Sequence, residues 1–312
     1  MTARGTVRLT DGFGVSGQIL TATAERALEF TKRTGRRPCL AAVLVGDDPA
    51  SVTYVKMKRS RCDTTGVDSR LVQLEAETST ARVVDAVASL SADPLVDGIL
   101  VQHPAPDTVD ERAVFEAISP TKDVDGVTVH SFAAMALGMP GLQSCTPGGI
   151  IRLLDAYDVE LAGRHAVVIG RSLILGRPLG MLLLARNATV TYCHSRTLDV
   201  AHFVADADIV IAAVGKPRFV QGEWLKPGAV VIDAGYNPGN IGDVDFEAAA
   251  PVASLITPVP GGVGPMTIAV LLQQTVEAAE ASLEPQTGGQ RQGGRMFGLT
   301  FWGARPTPDV PA

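Results

Sequence analysis

Apolar residues are arranged along this chain in two alternating ways. "CLAAVLVG" (39–46), "SRLVQLE" (69–75) and "DGILVQ" (97–102) are short runs rich in β-branched residues, which predict buried strands. Between them, "GQILTATAERALEFTKRTG" (17–35) and "TARVVDAVASLSADP" (80–94) space their apolar positions as a helix would. Strands that alternate with helices favour a parallel sheet, because a parallel neighbour is reached only through a long crossover. The alternation resumes in the second half with "HAVVIG" (165–170), "ATVTYC" (188–193), "ADIVIAAVG" (207–215) and "AVVIDAG" (229–235), connected in part by helical segments such as "RPLGMLLLAR". A last amphipathic stretch, "MTIAVLLQQTVEAAEASL" (266–283), predicts a helix opened by Pro265 that packs back on the first half.

The prediction is therefore an α/β protein of two units, the second a doubly wound parallel sheet of the nucleotide-binding kind. The Gly- and Pro-rich "GMPGLQSCTPGG" (138–149) marks the junction. Residues 1–145 with 268–284 are expected to form one unit and 146–267 the other, with 285–312 a disordered tail rich in Gly, Pro and Gln. A length of 312 residues accommodates two such units.

Composition narrows the function classes. With 46% hydrophobic and 19% charged residues the chain is a folded protein, and its net charge of -6 opposes non-specific nucleic-acid binding. The four cysteines, Cys39, Cys62, Cys145 and Cys193, are scattered without a CxxC pair, so neither a zinc ribbon nor a disulfide framework is expected. The start of the sequence lacks an apolar signal core, and no apolar run reaches bilayer length. The expectation is a cytoplasmic protein with no membrane and no nucleic-acid partner.

Chemistry enters at "HAVVIGRSLILGRPLG" (165–180), a strand, a turn and a helix start. Gly170 and Gly176 allow a tight turn and close approach to a phosphate, and the helix start offers free N–H groups to an anion. Arg171 and Ser172 add a cation and a hydroxyl at the mouth, and Pro178 suits the first helical turn. A structural turn without a ligand fits the same residues. The next strand ends in Cys193, His194, Ser195, Arg196 and Thr197, with no carboxylate to hold a ribose diol. A cationic, hydroxyl-rich ending suits a 2′-phosphate, so NADP is expected over NAD. His194 reads equally well as a packed strand-end residue.

Eight segments, "YVKMK", "VDGILVQHPAP", "KDVDGV", "CTPGGI", "GRSLILGRP", "ATVTYCHSRT", "GAVVIDAGYN" and "TPVPGGVGPMT", resemble in order and spacing one family. It is that of the bifunctional methylenetetrahydrofolate dehydrogenase/methenyltetrahydrofolate cyclohydrolases, the FolD family. The resemblance runs from about residue 6 to 282. It implies two α/β domains flanking a cleft, the second of Rossmann type, and a homodimer built through that second domain. It also implies NADP⁺-dependent oxidation of 5,10-methylenetetrahydrofolate, then hydrolysis to 10-formyltetrahydrofolate, with no metal.

The family's Y-x-x-x-K pattern falls on Tyr54 and Lys58. On a helix these share a face, whereas Lys56, two positions from each, points about 200° away at roughly 3.6 residues per turn. The resemblance gives Tyr54 the role of stacking on the pterin and Lys58 that of acting on the bound carbon and its water. For that Lys58 must be partly neutral, which burial and a cationic substrate favour. Gln102 matches the glutamine that holds the lysine, and Asp125 the carboxylate that takes the pterin's amino-pyrimidine edge. Asp123 is expected to be a loop or capping residue. Pro260, Gly261, Gly262, Gly264, Pro265 and Thr267 match the loop beside folate and nicotinamide. Gly170, Arg171, Ser172, Ser195 and Thr197 match cofactor contacts, and Tyr236, where the family often has isoleucine, is expected to contact through its backbone. The chain departs from the family at His103 and Ala105, which replace leucines, at Ser131 in place of asparagine, and at "AAM" (133–135) in place of "GRL".

Overall fold

The computed structural model describes residues 7–283, so the expected tail lies outside the described residues. Its first part comprises β1 (Arg8–Leu9), α1 (Gly12–Thr34), β2 (Cys39–Val45), α2 (Pro49–Thr65), β3 (Asp68–Leu74), α3 (Thr80–Ala92), β4 (Gly98–Val101), α4 (Glu111–Glu116) and α5 (Val129–Leu137). The second part has α6 (Cys145–Ala156), β5 (His165–Ile169), α7 (Gly176–Ala185), β6 (Thr189–Cys193), α8 (Val200–Ala205), β7 (Ile209–Ala212), β8 (Val230–Asp233), α9 (Phe246–Ala249), β9 (Leu255–Ile256) and α10 (Val263–Ala281).

The smaller sheet has the order β3-β2-β4, all parallel. Its centre, β2, is apolar without a break because both faces are covered. Leu40, Ala42 and Leu44 pack with Leu100 and with Val270, Leu271 and Val276 of α10. Ala41, Val43 and Val45 pack on the other side with Val83 and Val87 of α3 and Phe115 of α4. Helix starts are held by side chains: Asp11 Oδ1 accepts the Gly14 N–H at 2.9 Å, and Asp48 Oδ2 the Ser51 N–H at 2.8 Å.

The larger sheet is parallel with the order β1-β9-β8-β7-β5-β6. The chain reverses direction of travel across the sheet between β5 and β7, which opens a crevice at their carboxyl ends. Val167 and Ile169 face one core with Val210 and Ala212, while Ala166 and Val168 face the other with Ile209 and Ile211.

Two details differ from the sequence reading. Arg8–Leu9, expected within the first unit, pairs instead with Leu255–Ile256 on the larger sheet. These two strands are two residues long, too short for a period to be read. Helix α10 begins at Val263 with Gly262 at its N-cap, so Pro265 is its third residue and not its opener; proline is tolerated there because first-turn N–H groups have no intrahelical partner. As expected, α10 covers the smaller sheet with Val270, Leu271 and Val276.

Candidate active site

Helix α2 presents one buried stripe, Val55, Lys58 and Cys62, to the smaller sheet. Lys58 is only 9% exposed, and its Nζ donates to Gln102 Oε1 at 3.1 Å from the carboxyl end of β4. Gln102 Nε2 donates to the His103 carbonyl at 2.7 Å, which fixes the amide so that its oxygen faces the amine. Burial pushes the Lys58 amine below its ordinary value, opposed by the negative charge of Asp125. Tyr54, one turn earlier, leaves its ring 38% exposed, and burial raises its hydroxyl with a smaller contribution from Tyr236. Lys56 is exposed, on another face of α2.

Asp125 closes the far side of this pocket. A carboxyl oxygen lies 3.8 Å from His103 Nε2, and the negative charge of the same carboxylate acts on the nearby Cys145 thiol. Cys145 Sγ also donates to the Val124 carbonyl at 3.1 Å, and its complete burial pushes the thiol well above the ordinary range. Asp123, two residues earlier, is fully buried; it accepts from the Val127 N–H at 3.0 Å, the Thr128 N–H at 2.9 Å and Ser131 Oγ at 2.6 Å. It is a loop clamp, as its position suggested, and Ser131 is part of that clamp. The clamp aims the turn that carries Asp125.

The loop preceding α10 packs against the start of α1. Gly261 has φ 104°, a backbone state that favours glycine, and its carbonyl accepts the Gly12 N–H at 2.9 Å. A Cβ on Gly12 would lie 1.8 Å from the Gly262 carbonyl oxygen, so this approach admits no side chain. Gly264 by contrast has open space about it. Thr267 Oγ1 lies 3.0 Å from Thr146 Oγ1 and ties α10 to α6. Pro260 follows a cis bond to Val259.

At the crevice between β5 and β7, Gly170 has φ 133°, and a Cβ there would lie 2.2 Å from the Ala213 carbonyl. A Cβ on Gly176 would lie 2.4 Å from the Gly170 carbonyl. The turn is thus as tight as the chain allows. Ser172 Oγ accepts the Leu175 and Gly176 N–H groups, each at 3.2 Å, while Arg171 is exposed. Gly176 and Pro178 are buried in the first turn of α7 and shape it from within. At the end of β6, Thr197 Oγ1 accepts the His194 N–H at 2.9 Å and His194 Nδ1 accepts the Arg196 N–H at 3.2 Å, so His194 is half-buried and organises the turn. Ser195 and Arg196 are exposed. The glycine-only turn and this cationic ending without a carboxylate fit a 2′-phosphorylated dinucleotide. Tyr236 is 58% exposed and its hydroxyl donates to Asn240 Oδ1 at 2.8 Å.

Sequence reasoning did not single out two buried carboxylates that hold the crevice loops. Asp243 accepts the Val214 N–H at 2.6 Å, the Gly215 N–H at 2.8 Å and the Lys216 N–H at 2.9 Å, fixing the loop after β7. Asp233 accepts the Gly235, Asp243 and Val244 N–H groups, each at 2.9 Å; burial pushes it up to about 6 against those donors. Neither has a local sequence signal. Cys145 was also missed, although it stands in a quoted motif. Among the described residues no cluster of His, Cys, Asp and Glu converges to hold a metal ion. No described helix is long and apolar enough to cross a membrane.

Comparison with known proteins gives a concordant picture. The family pattern described as tetrahydrofolate dehydrogenase/cyclohydrolase, catalytic domain, matches residues 10–125, and that of the NAD(P)-binding domain matches 144–283. The chain is 65% identical over 286 residues to bifunctional protein FolD 1 of Streptomyces avermitilis, covering 92% of this chain and 100% of that one. It superposes on the FolD methylenetetrahydrofolate dehydrogenase/cyclohydrolase of Campylobacter jejuni with a TM-score of 0.86 at 41% identity, over 89% of this chain and 100% of the other. The dehydrogenase-cyclohydrolase of Trypanosoma brucei, solved with NADP cofactor and an inhibitor, gives 0.85 at 35% identity, over 88% and 98% of the two chains.

Proposed function

The chain belongs to the tetrahydrofolate dehydrogenase/cyclohydrolase family and is a bifunctional, NADP-dependent enzyme of folate one-carbon metabolism, and from that premise we propose how its residues divide the two reactions. It oxidises 5,10-methylenetetrahydrofolate to the methenyl cation and hydrolyses that cation to 10-formyltetrahydrofolate. The observation that carries the assignment is a buried amine, Lys58, whose hydrogen-bonding side-chain partner is the neutral amide of Gln102.

The carboxylate of Asp125 accepts two N–H bonds from the pterin's amino-pyrimidine edge, a paired, charge-assisted contact that sets the folate's orientation. The half-exposed ring of Tyr54 gives the pterin a flat apolar face. Gly261, Gly262 and Gly264 let the backbone of the 260–267 loop approach, with Pro260 and Pro265 stiffening it and Thr267 anchored to Thr146. Gly170, Arg171 and Ser172 receive the cofactor's phosphates, His194 and Thr197 shape the next turn, and Ser195 and Arg196 meet the 2′-phosphate. Bound NADP⁺ supplies the acceptor for the hydride of the first reaction.

In the second reaction Lys58 works as a neutral amine. Its Nζ takes a proton from the water whose oxygen bonds to the methenyl carbon. As the carbon–nitrogen bond breaks, one water proton ends on the departing nitrogen and the other in solvent. Gln102 holds Nζ in line without the negative charge that would keep the amine protonated. Asp125 does raise the Lys58 value, but burial is the larger influence. Lys58→Met is expected to abolish the decay of methenyl absorbance, and Lys56→Met to leave it nearly intact. Equal loss in both variants would overturn the assignment.

The resemblance further supports a homodimer through the larger sheet, where β6 leaves one edge unpaired among the described strands, and a cytoplasmic location. Sedimentation at twice the chain's 32.6 kDa is the expected result; a monomer at assay concentration would refute it.

A further inference from the structure

His103 stands where the family pattern has leucine, and it faces the carboxylate assigned above to the pterin. Its Nε2 lies 3.8 Å from Asp125 Oδ2, too long for a hydrogen bond and close enough for an ion pair once the imidazole is charged. Both partners are shielded, with side chains 29% and 12% exposed, so solvent screens the pair only in part. The imidazole packs on an aromatic neighbour. Its edge packs against Phe115 with centroids 6.2 Å apart and planes at 84°, and its own carbonyl is held by Gln102 Nε2.

We propose that His103 is a positioning residue that competes with folate for Asp125, so that protonation of His103 weakens reduced-folate binding. The inference rests on the assignment of Asp125 to the pterin edge. A charged imidazole draws the carboxylate towards itself and neutralises the charge that the pterin's N–H groups seek. A neutral imidazole leaves the carboxylate to the substrate. Histidine is the side-chain type whose charge change ordinarily falls within the physiological range.

The other titratable and charged groups packed around this ring leave the competition to Asp125. Lys58 on α2 is engaged by Gln102, and its amine is disfavoured as a cation by burial. Glu111 on α4 has its Oε1 bound by the Ala105 N–H at 2.6 Å. Arg112 of the same helix is bound to Glu116 and to the Val127 carbonyl. Cys145 on α6 is neutral, its buried thiol donating to the Val124 carbonyl. Asp123 is enclosed by its three donors.

The test is a steady-state pH profile of the wild type, His103→Gln and His103→Leu, with Asp125→Asn as a reference. The wild-type KM for methylenetetrahydrofolate is expected to rise about fivefold from pH 8 to pH 6, the size of one partly screened ion pair. The KM for NADP⁺ and kcat should not follow that rise. His103→Gln, which keeps the shape and hydrogen-bonding capacity but cannot take a charge, should give a level folate KM across the same range, as should His103→Leu. A folate KM that climbs equally in the wild type and in His103→Gln would overturn the proposal, as would a parallel change in the NADP⁺ KM. Asp125→Asn separates the two layers. If it leaves the folate KM unchanged at pH 8, the assignment of Asp125 fails; if it raises that KM while His103→Gln keeps the wild-type slope, only the role of His103 fails.

Discussion

Lys58 is placed where a lysine is least comfortable. Burial disfavours its charged form, and the neighbour within hydrogen-bonding reach is an amide. Because the folded-state value lies below that of the free side chain, the unfolded chain binds this proton more tightly. The group's contribution to stability is therefore smallest at low pH and grows as pH rises towards the ordinary lysine value of 10.5. Lys58→Met, which fills the same space without a charge, should melt above the wild type at pH 7, with the gap closing only as the pH reaches the ordinary lysine value of 10.5. Thermal melts at the two pH values decide it; a lower melting point at pH 7 would mean that the amine contributes stabilising contacts beyond Gln102. At this scale the four-residue spacing put Tyr54 and Lys58 on one helix face, while Gln102 and Asp125 were singled out by the family resemblance. The sequence was silent on the burial of the Cys145 thiol against the Val124 carbonyl, since nothing in "CTPGG" indicates which backbone group the thiol will meet.

The strands and helices were legible wherever burial on both faces imposed an unbroken apolar run, as in β2, β5 and β7. The two-residue strands β1 and β9 were not, because pairing there depends on which backbone passes alongside. The loops that follow the strands were also beyond local reading. Asp243 supplies acceptors for three successive N–H groups after β7 and for Asn237 Nδ2 at 3.0 Å, and it is fully buried. Asp243→Ala strands all four donors, and should cost about 4 kcal/mol or more at roughly 1–3 kcal/mol for each unsatisfied buried group. The expected phenotype is a lower denaturation midpoint together with a raised KM for NADP⁺, while the folate KM changes little. A change confined to the folate KM would show that the loop does not serve the cofactor crevice.

Across the whole molecule, α10 joins the parts. Gln274, 3% exposed, donates through Nε2 to the Val124 carbonyl at 2.7 Å and the Gln143 carbonyl at 2.8 Å, and its Oε1 accepts the Gln143 N–H at 2.7 Å. It thus fixes the backbone directly before Asp125 to the helix that follows the 258–262 loop. Gln274→Leu should lower stability by about 2–3 kcal/mol through the unsatisfied backbone groups and should raise the folate KM more than that of NADP⁺. An unchanged folate KM would mean that Asp125 is positioned by the Asp123 clamp alone. The sequence by itself determined the α/β class, the two-part division, the helix face shared by Tyr54 and Lys58, and a cofactor turn that lacks a carboxylate. Each of these follows from short-range spacing and residue type, which the chain carries locally. Tertiary structure alone decided that Arg8–Leu9 joins the distant sheet, that Gln274 and Thr267 tie the last helix to the pocket, and that His103 faces Asp125. Those relations join residues far apart in sequence or on opposite sides of a turn, and only the packed backbone brings them within a few ångströms.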